Sequence, residues 1–299
     1  MASEPISKLG FPGSSSHVPE VPVDSSSVSV TAYFTGQVWC ENGLAPAEFG
    51  TRVGRFAYLL ALPFSKIAGR LVGADIDTFL LERHVLLDYL LTRAIEDDGV
   101  TQVVEIAAGI SPRGVCFRRR YGALRYIEAD LPGMANTKRE LLQRHDWLSD
   151  EHSVEACDIL TDSGPQSVEA LLGGLDATRK TVIVTEGLVN YFDLETLNVF
   201  WSRLARASAR FPECRYLTDI YPDLPNHPLH RVTQLGQGVI ERFARNDWPL
   251  HYGSDDSIAD GFRAAEFKEV TVHDPDDYRE TLGLSKFRYP SVVRVVEAR

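Results

Sequence analysis

The stretch VVEIAAGISPRG, residues 103–114, combines a β-branched run, a turn of small residues and a helix start at Ser111 and Pro112. Such strand-turn-helix units direct backbone N–H groups toward the polar parts of a nucleotide. A dinucleotide fold uses G-x-G-x-x-G, but this turn reads A-A-G-I-S-P and keeps only Gly109. The turn therefore predicts a site for a nucleoside that lacks a pyrophosphate.

Two acidic residues follow in the segment YIEADLP, on the next predicted strand. An acid at the end of a second strand can accept hydrogen bonds from both ribose hydroxyls, and Glu128 and Asp130 are the candidates. Together with the single glycine, they favour S-adenosylmethionine (SAM) over NAD or FAD as the cofactor. The alternative is that both carboxylates lie on a solvent-facing side of the strand without a ligand.

Three segments in this order, VVEIAAGISPRG, YIEADLPGMANTK and TEGLVNYF, resemble the signature segments of the leucine carboxyl methyltransferase family, which includes tetracenomycin-type polyketide O-methyltransferases. The family forms are an E-L-G-A-G-like turn, E-x-D-x-P followed by a lysine, and E-G-x-x-x-Y. E-A-D-L-P followed by Lys138 is the most specific match. The chain departs from the family at Ala107, which replaces the first glycine, and at Ser111 and Pro112, which replace a D-T pair.

The resemblance implies a role for each matching position. Arg83 would pair with the carboxylate of the methionine moiety, because a guanidinium fork fits a carboxylate. The turn from Glu105 through Ala107 to Gly109 would hold the methionine portion, and Asp130 would hold the ribose. The remaining implied contacts are Asp158 and the Ile159 backbone at the adenine, Glu186 at the amino group or the methyl-transfer space, and Tyr191 as a second catalytic candidate beside Glu186.

Several of these residues also have structural interpretations. Arg83 could form an exposed ion pair with Asp88 or another carboxylate of its own helix. Asp158 could close a loop as an Asx-turn, and Tyr191 could be core or pocket wall. The histidines predicted at the surface are His145, His152, His227, His230 and His251.

The elements that must position these residues follow from hydrophobic periodicity. Residues 1–28, rich in Ser, Pro and Gly, are expected to be a disordered leader, and residues 29–98 a helical lid. From residue 99 to 299, short β runs alternate with helical stretches. This pattern predicts a Rossmann-like α/β fold, a doubly wound, seven-stranded, mostly parallel sheet, with a helical insert at about residues 222–250. The last two strands are expected to follow each other without a helix, as a hairpin ending in an antiparallel strand, and residues 29–299 to form one domain.

Composition limits the partners. A net charge of −11 disfavours nucleic acid, whose binders carry basic patches. The longest apolar stretch is interrupted by Pro63, Lys66 and Arg70, so no membrane span is expected, and four isolated cysteines suggest no metal site. We expect a cytoplasmic monomer or homodimer that acts on a small-molecule acceptor, without nucleic acid, membrane or metal.

These features predict a SAM-dependent O-methyltransferase for a carboxylate or hydroxyl of a small molecule, polyketide-like acceptors included. A carboxylate needs no base, whereas a hydroxyl needs one, for which Glu186, Asp219 or a histidine of the insert are candidates. Aromatic residues of the lid and of the segment after the fifth strand, such as Tyr221, would line the acceptor pocket or pack as core. Two alternatives remain open: an NAD(P)-dependent oxidoreductase and a noncatalytic SAM-binding protein.

Overall fold

The computed structural model describes residues 27–72, 76–230, 248–284 and 289–299. They contain a seven-stranded sheet of order β3-β2-β1-β4-β5-β7-β6. The strands are β1 (Gln102–Ile106), β2 (Arg125–Asp130), β3 (His152–Ala156), β4 (Thr181–Thr185), β5 (Cys214–Ile220), β6 (Val270–His273) and β7 (Arg294–Ala298). Strands β1 to β5 are parallel, and β7 is antiparallel to both β5 and β6. The predicted α/β fold with a mostly parallel sheet is confirmed.

Helices flank the sheet and extend its N-terminal side. They are α1 (Ser27–Glu41), α2 (Arg52–Val72), α3 (Ile76–Glu96), α4 (Arg113–Arg120), α5 (Pro132–Arg144), α6 (Val168–Gly173), α7 (Leu194–Ser208), α8 (Asp255–Ala264) and α9 (Arg279–Leu282). The predicted leader lies almost wholly outside the described residues, as does most of the predicted helical insert, residues 231–247. In the described part of the chain, no helix is long and apolar enough to cross a membrane.

The core lies on both faces of the sheet because neighbouring strand residues point in opposite directions. In β4, Val182 and Val184 pack with the leucines of α3, whereas Ile183 packs with Trp201 of α7 and Phe262 of α8. All three β4 valine and isoleucine side chains are buried. A strand buried on both faces reads as a continuous apolar run, as β4 does. The sheet is thereby rigid at the strand ends that carry the candidate site.

The connection between the last two strands differs from the prediction. It contains a 3₁₀ turn, Pro275–Tyr278, and the short helix α9, so the expectation of a direct hairpin is wrong. The Asp274 side chain accepts a hydrogen bond from the Asp276 N–H, and Pro275 occupies the first helical position. Gly283, at φ 63°, ends α9. The D-P-D-D sequence carries this helix-start signal, although the helix is too short to show periodicity.

The N-terminal helices cover the turn that follows β1. Helix α1 packs along α2, and a Cβ added to Gly109 would lie 3.2 Å from the Ala32 Cβ of α1. Tyr191, after β4, donates a hydrogen bond to Thr31 of α1, with Oη and Oγ1 3.1 Å apart. Helix α1 therefore contacts the chain after two different strands, as expected of a helix that covers a site.

We expect Gly54→Ala to loosen this covering layer. A Cβ at residue 54 would lie 2.3 Å from the Tyr33 carbonyl oxygen, so α1 must move away from α2. The expected loss in the free energy of unfolding is about 1–3 kcal/mol, by overpacking, which a thermal melt would measure. Gly122→Ala is the matched control, because nothing lies within 4 Å of its added Cβ. Equal melting temperatures for the two variants would contradict this packing.

Candidate active site

The first feature of the site is a turn at the carboxyl end of β1, where α/β sheets bind ligands. Ala107 and Gly109 both have left-handed backbone angles, with φ of 56° and 48°. The Gly109 N–H donates to Asp130 Oδ2 at 2.7 Å, and the Leu131 N–H donates to Asp130 Oδ1 at 2.8 Å. The end of β2 is thereby tied directly to the turn after β1.

Asp130 remains suited to a ligand despite these two hydrogen bonds. Its side chain is partly exposed, and a carboxylate offers about four lone-pair directions, of which two are used. Burial raises the pKa of Asp130, and the two backbone N–H groups oppose that effect. The free lone pairs fit the two hydroxyls of a ribose, which is the role predicted for this residue.

Glu128 lies in a different environment from Asp130. Its carboxylate is fully buried, forms an ion pair with Lys138 of α5 and lies within hydrogen-bond distance of His152 of β3, with Nε2 2.8 Å from Glu128 Oε1. Lys138 also donates to the Ser111 carbonyl at 2.6 Å. The Glu and Lys of the E-x-D-x-P…K motif therefore pair with each other beneath the turn. The predicted surface position of His152 is wrong, because the buried carboxylate needs a second partner.

A second group of charges joins the ends of β4 and β5 to α3. Arg83 donates through Nε to Glu186 Oε1 at 3.2 Å and through Nη1 to Asp219 Oδ2 at 3.1 Å. Arg83 is only 7% exposed, so the alternative of an exposed ion pair within its own helix is wrong. Its Nη2 makes no hydrogen bond to the described residues and lies beside Gly187, where an added Cβ would be 2.9 Å away. One edge of the guanidinium is thus left for a ligand carboxylate.

Arg113 is the centre of a fully buried network. Its Nε and Nη1 bind Asp88 and Glu105, both at 2.5 Å, and its Nη2 binds Glu186 at 2.5 Å. His84 Nδ1 lies 2.8 Å from Glu186 Oε2. Sequence reasoning missed both Arg113 and His84. The sequence feature that could have revealed a buried cation was Glu105 within an apolar strand, because a buried carboxylate requires a buried cation.

This network determines which carboxylates are ionised. Burial acts against the charge of Glu186, but His84, Arg113 and Arg83 outweigh it and hold the pKa of Glu186 far below its usual range. Burial raises the pKa of Asp219, and Arg83 only partly offsets that effect. Glu186 therefore carries a negative charge at the carboxyl end of β4 at all physiological pH values.

The remaining predicted residues lie near the same edge of the sheet. Tyr191 is partly exposed and acts electrostatically on Arg83. Asp158 forms an Asx-turn, which is the structural alternative predicted for it: its Oδ1 accepts a hydrogen bond from the Leu160 N–H at 2.9 Å. Ile159 is 8% exposed and packs with the core below. Hydrogen bonds join Asp130 to the turn and Arg83 to Glu186, whereas Asp158 and Ile159 follow β3 separately.

Part of this chain is similar to known proteins. Residues 64–203 match the model of the leucine carboxyl methyltransferase family. The resemblance to the leucine carboxyl methyltransferases is confirmed. The matched segment contains Arg83, Asp130 and Glu186. A Mycolicibacterium smegmatis protein, described as a candidate SAM-dependent methyltransferase, is 31% identical over 137 residues, which are 46% of this chain and 45% of the relative. The chain thus spans less than half the length of this curated relative.

Two solved structures share the fold of this chain. A candidate O-methyltransferase from Nostoc punctiforme has a TM-score of 0.50 at 11% identity, covering 74% of this chain and 59% of its own. An O-methyltransferase family protein from Burkholderia thailandensis has a TM-score of 0.50 at 15% identity, covering 82% and 61%. At these identities the likeness supports the Rossmann-like methyltransferase fold and nothing finer.

We expect Ala107→Gly to stabilise the protein by about 1 kcal/mol, because a left-handed conformation costs an L-residue about that much. The variant also removes a methyl from the turn, which should leave SAM affinity equal or higher. Ala108→Gly is the control: φ is not positive there, so glycine should destabilise by about 0.5–1 kcal/mol. Chemical denaturation measures both variants. If both lose stability equally, the turn does not store strain at residue 107.

Glu186→Gln should change the acid dependence of stability. The folded pKa of Glu186 lies below its unfolded value of about 4.3. The carboxylate therefore stabilises the fold fully above that pH, and its contribution is lost as the pH falls toward the folded pKa. We expect the variant to be about 3–5 kcal/mol less stable at pH 7, because it leaves buried cations unpaired, and to lose less stability than the wild type below about pH 4.

Urea unfolding between pH 3 and pH 7 measures this difference. Glu169→Gln, at an exposed position of α6, controls for the loss of one carboxylate. Parallel stability curves for wild type and Glu186→Gln would show that Glu186 is not the group that the buried cations hold ionised.

Proposed function

We propose that this protein is a SAM-dependent O-methyltransferase that acts on a small-molecule acceptor. The observation that carries the proposal is Asp130, which ends β2 partly exposed and is hydrogen-bonded to Gly109 in the turn after β1. An acid in this place holds the ribose of a nucleoside. Arg83 with its unoccupied edge, and the ionised Glu186, lie at the ends of neighbouring elements and complete a cradle for an amino acid attached to that nucleoside.

The sheet order supports this choice over the NAD(P)-dependent alternative. Dinucleotide-binding folds have the strand order 3-2-1-4-5-6, whereas here an antiparallel β7 lies between β5 and β6. The turn lacks the glycines that let a backbone approach a pyrophosphate. The match to the leucine carboxyl methyltransferases over residues 64–203 and the methyltransferase description of the curated relative point the same way.

Each residue then has a definite task. Arg83 binds the cofactor carboxylate through Nη2, Glu186 binds its amino group, and Asp130 binds the ribose hydroxyls. Asp158 and the Ile159 backbone face the adenine, and Tyr191 closes the methyl-transfer space beneath α1. Bound SAM would supply the sulfonium methyl group, so the chain mainly has to orient donor and acceptor and exclude water.

The charges at the site favour a carboxylate as the acceptor. Glu186 and Asp219 are the candidate bases after β4 and β5, and both accept hydrogen bonds from Arg83. The cations hold the pKa of Glu186 low, so Glu186 is a poor proton acceptor. Asp219 is buried, and both of its oxygens already accept hydrogen bonds, from Arg83 and from the Gly187 N–H. A carboxylate acceptor arrives ionised and needs no base, whereas a hydroxyl would need one. We place this chemistry in a single domain, residues 29–299, with the N-terminal helices as its lid.

Titration calorimetry with SAM and with its demethylated product, S-adenosylhomocysteine (SAH), tests the proposal. We expect saturable binding, and we expect Asp130→Asn to weaken it at least tenfold, because the amide presents one acceptor oxygen instead of two. Asparagine is preferable to alanine, since alanine would also remove two backbone hydrogen bonds. Asp162→Asn, on an exposed loop, is the control.

The outcomes separate the candidate functions. No binding of either ligand by the folded wild type would remove the methyltransferase proposal. Unchanged affinity in Asp130→Asn would remove only the ribose assignment. Tight binding without methyl transfer to any of a broad panel of acids, phenols and alcohols would favour a noncatalytic SAM-binding protein.

A further inference from the structure

A buried amide ties together three segments at the carboxyl edge of the sheet. Asn190, 4% exposed, lies in the 3₁₀ turn after β4. Its Nδ2 donates to the Tyr221 carbonyl at 3.0 Å and to the Pro249 carbonyl at 2.8 Å, and its Oδ1 accepts from the Tyr221 N–H at 2.9 Å. Both backbone groups of Tyr221 are thus held by one side chain. Two of these three hydrogen bonds hold the Tyr221 backbone immediately after β5, and the third joins Asn190 to Pro249.

The same region is braced by neighbouring backbone contacts. The Asp223 N–H donates to the Tyr252 carbonyl at 2.8 Å, and His251 Nε2 lies 2.7 Å from the Phe192 carbonyl. Pro222 and His251 form an isolated parallel bridge. The chain after β5 and the chain before α8 are therefore fixed to each other and to the turn that carries Asn190. These three hydrogen-bonded segments form a frame, and Tyr221 lies on it.

The Tyr221 side chain extends from this frame toward the charges of the site. Its ring centroid lies 5.8 Å from the Arg83 guanidinium carbon and 5.2 Å from the Trp248 ring. Two phenols, those of Tyr191 and Tyr221, act electrostatically on Arg83. Tyr191 is engaged with Thr31 of α1. The Tyr221 hydroxyl has no hydrogen-bond partner among the side chains and backbone groups that the structure describes.

Among the described residues, the Tyr221 phenol is therefore a partly exposed donor without a partner, beside the charges proposed to bind the cofactor. Burial raises the pKa of Tyr221, and Asp219 and Glu186 act in the same direction against Arg83. The hydroxyl therefore keeps its proton and can donate a hydrogen bond, but it is not a base. The other polar side chains described at this edge either bind a protein group or are proposed to bind a part of the cofactor.

We propose that Tyr221 contacts the methyl acceptor by donating its phenol hydrogen to an acceptor oxygen, and that Asn190 is the positioning residue for Tyr221. This assignment rests on the proposed methyltransferase function. The attacking acceptor oxygen uses its own electron pair to form the O–CH₃ bond, the S–CH₃ bond breaks, and its electrons remain on sulfur. With a carboxylate acceptor no proton is released, and Tyr221 orients the acceptor by binding its second oxygen.

The proposal predicts acceptor binding that depends on the Tyr221 hydroxyl. Benzoate serves as the probe, titrated into the full-length protein saturated with SAH. We expect Tyr221→Phe to weaken benzoate binding at least about tenfold, because a hydrogen bond to a charged group is lost, while SAH affinity stays within twofold. Tyr121→Phe is the matched control, since its phenol binds Glu96 at the end of α3, away from the carboxyl ends of the strands.

Asn190 is tested by a double-mutant cycle. If Asn190 acts through Tyr221, Asn190→Ala and Tyr221→Phe together should weaken benzoate binding no more than the larger single effect, whereas independent roles would add. Asn190→Ser, which keeps a donor and an acceptor, is the conservative variant and should recover part of the affinity. SAH binding confirms that each variant is folded.

The results distinguish this assignment from the proposed function. If SAH binds the wild type but benzoate does not, or binds equally to Tyr221→Phe, the role of Tyr221 is overturned and the methyltransferase proposal stands. Additive effects in the cycle would overturn the positioning role of Asn190. If SAH itself fails to bind, both the proposed function and the assignment that rests on it fail.

Discussion

The site depends on a buried guanidinium that has to be neutralised. Arg113 is only 1% exposed. Removing a cation from water costs free energy unless carboxylates surround it. Asp88 from α3, Glu105 from β1 and Glu186 from the end of β4 supply them. Since each acid belongs to a different element, the electrostatic requirement of one side chain fixes the relative position of all three. Arg83 extends the same constraint to β5 through Asp219.

Carboxylates at this edge of the sheet fall into two kinds, and their environment separates them. Glu105 and Glu128 are fully buried, and protein side chains bind both oxygens of each, Arg113 and Tyr126 for Glu105 and Lys138 and His152 for Glu128. Asp130 is partly exposed, and only backbone N–H groups bind it. The same residue type thus serves the fold in one case and can serve a ligand in the other. The difference lies in whether lone pairs remain after the protein's own contacts are made.

The side of the site that carries Tyr221 is held together by neutral hydrogen bonds instead of charges. Asn190 joins the chain after β4, the chain after β5 and the chain before α8, and it leaves the Tyr221 ring beside Arg83. Helix α1 closes the opposite side by touching Gly109 and Tyr191. In the proposed function, the sheet edge between α1 and this segment would hold donor and acceptor in a space from which water is excluded.

The local pattern of the sequence was enough to predict the sheet, since periodicity of β runs and helices depends on each residue's own burial. It predicted a seven-stranded, mostly parallel sheet, the antiparallel last strand and the acid at the end of β2. It missed α9, which is too short to be periodic.

Partners distant along the chain could not be read from spacing: Arg83 with Asp219, Arg113 with Asp88, and Asn190 with Tyr221. Burial strengthens such interactions by lowering the local dielectric, and burial of a particular atom exists only in the folded chain. Residue types and order therefore determined the elements and the candidate chemistry, whereas the tertiary structure alone decided which charges neutralise each other and which remain for a ligand.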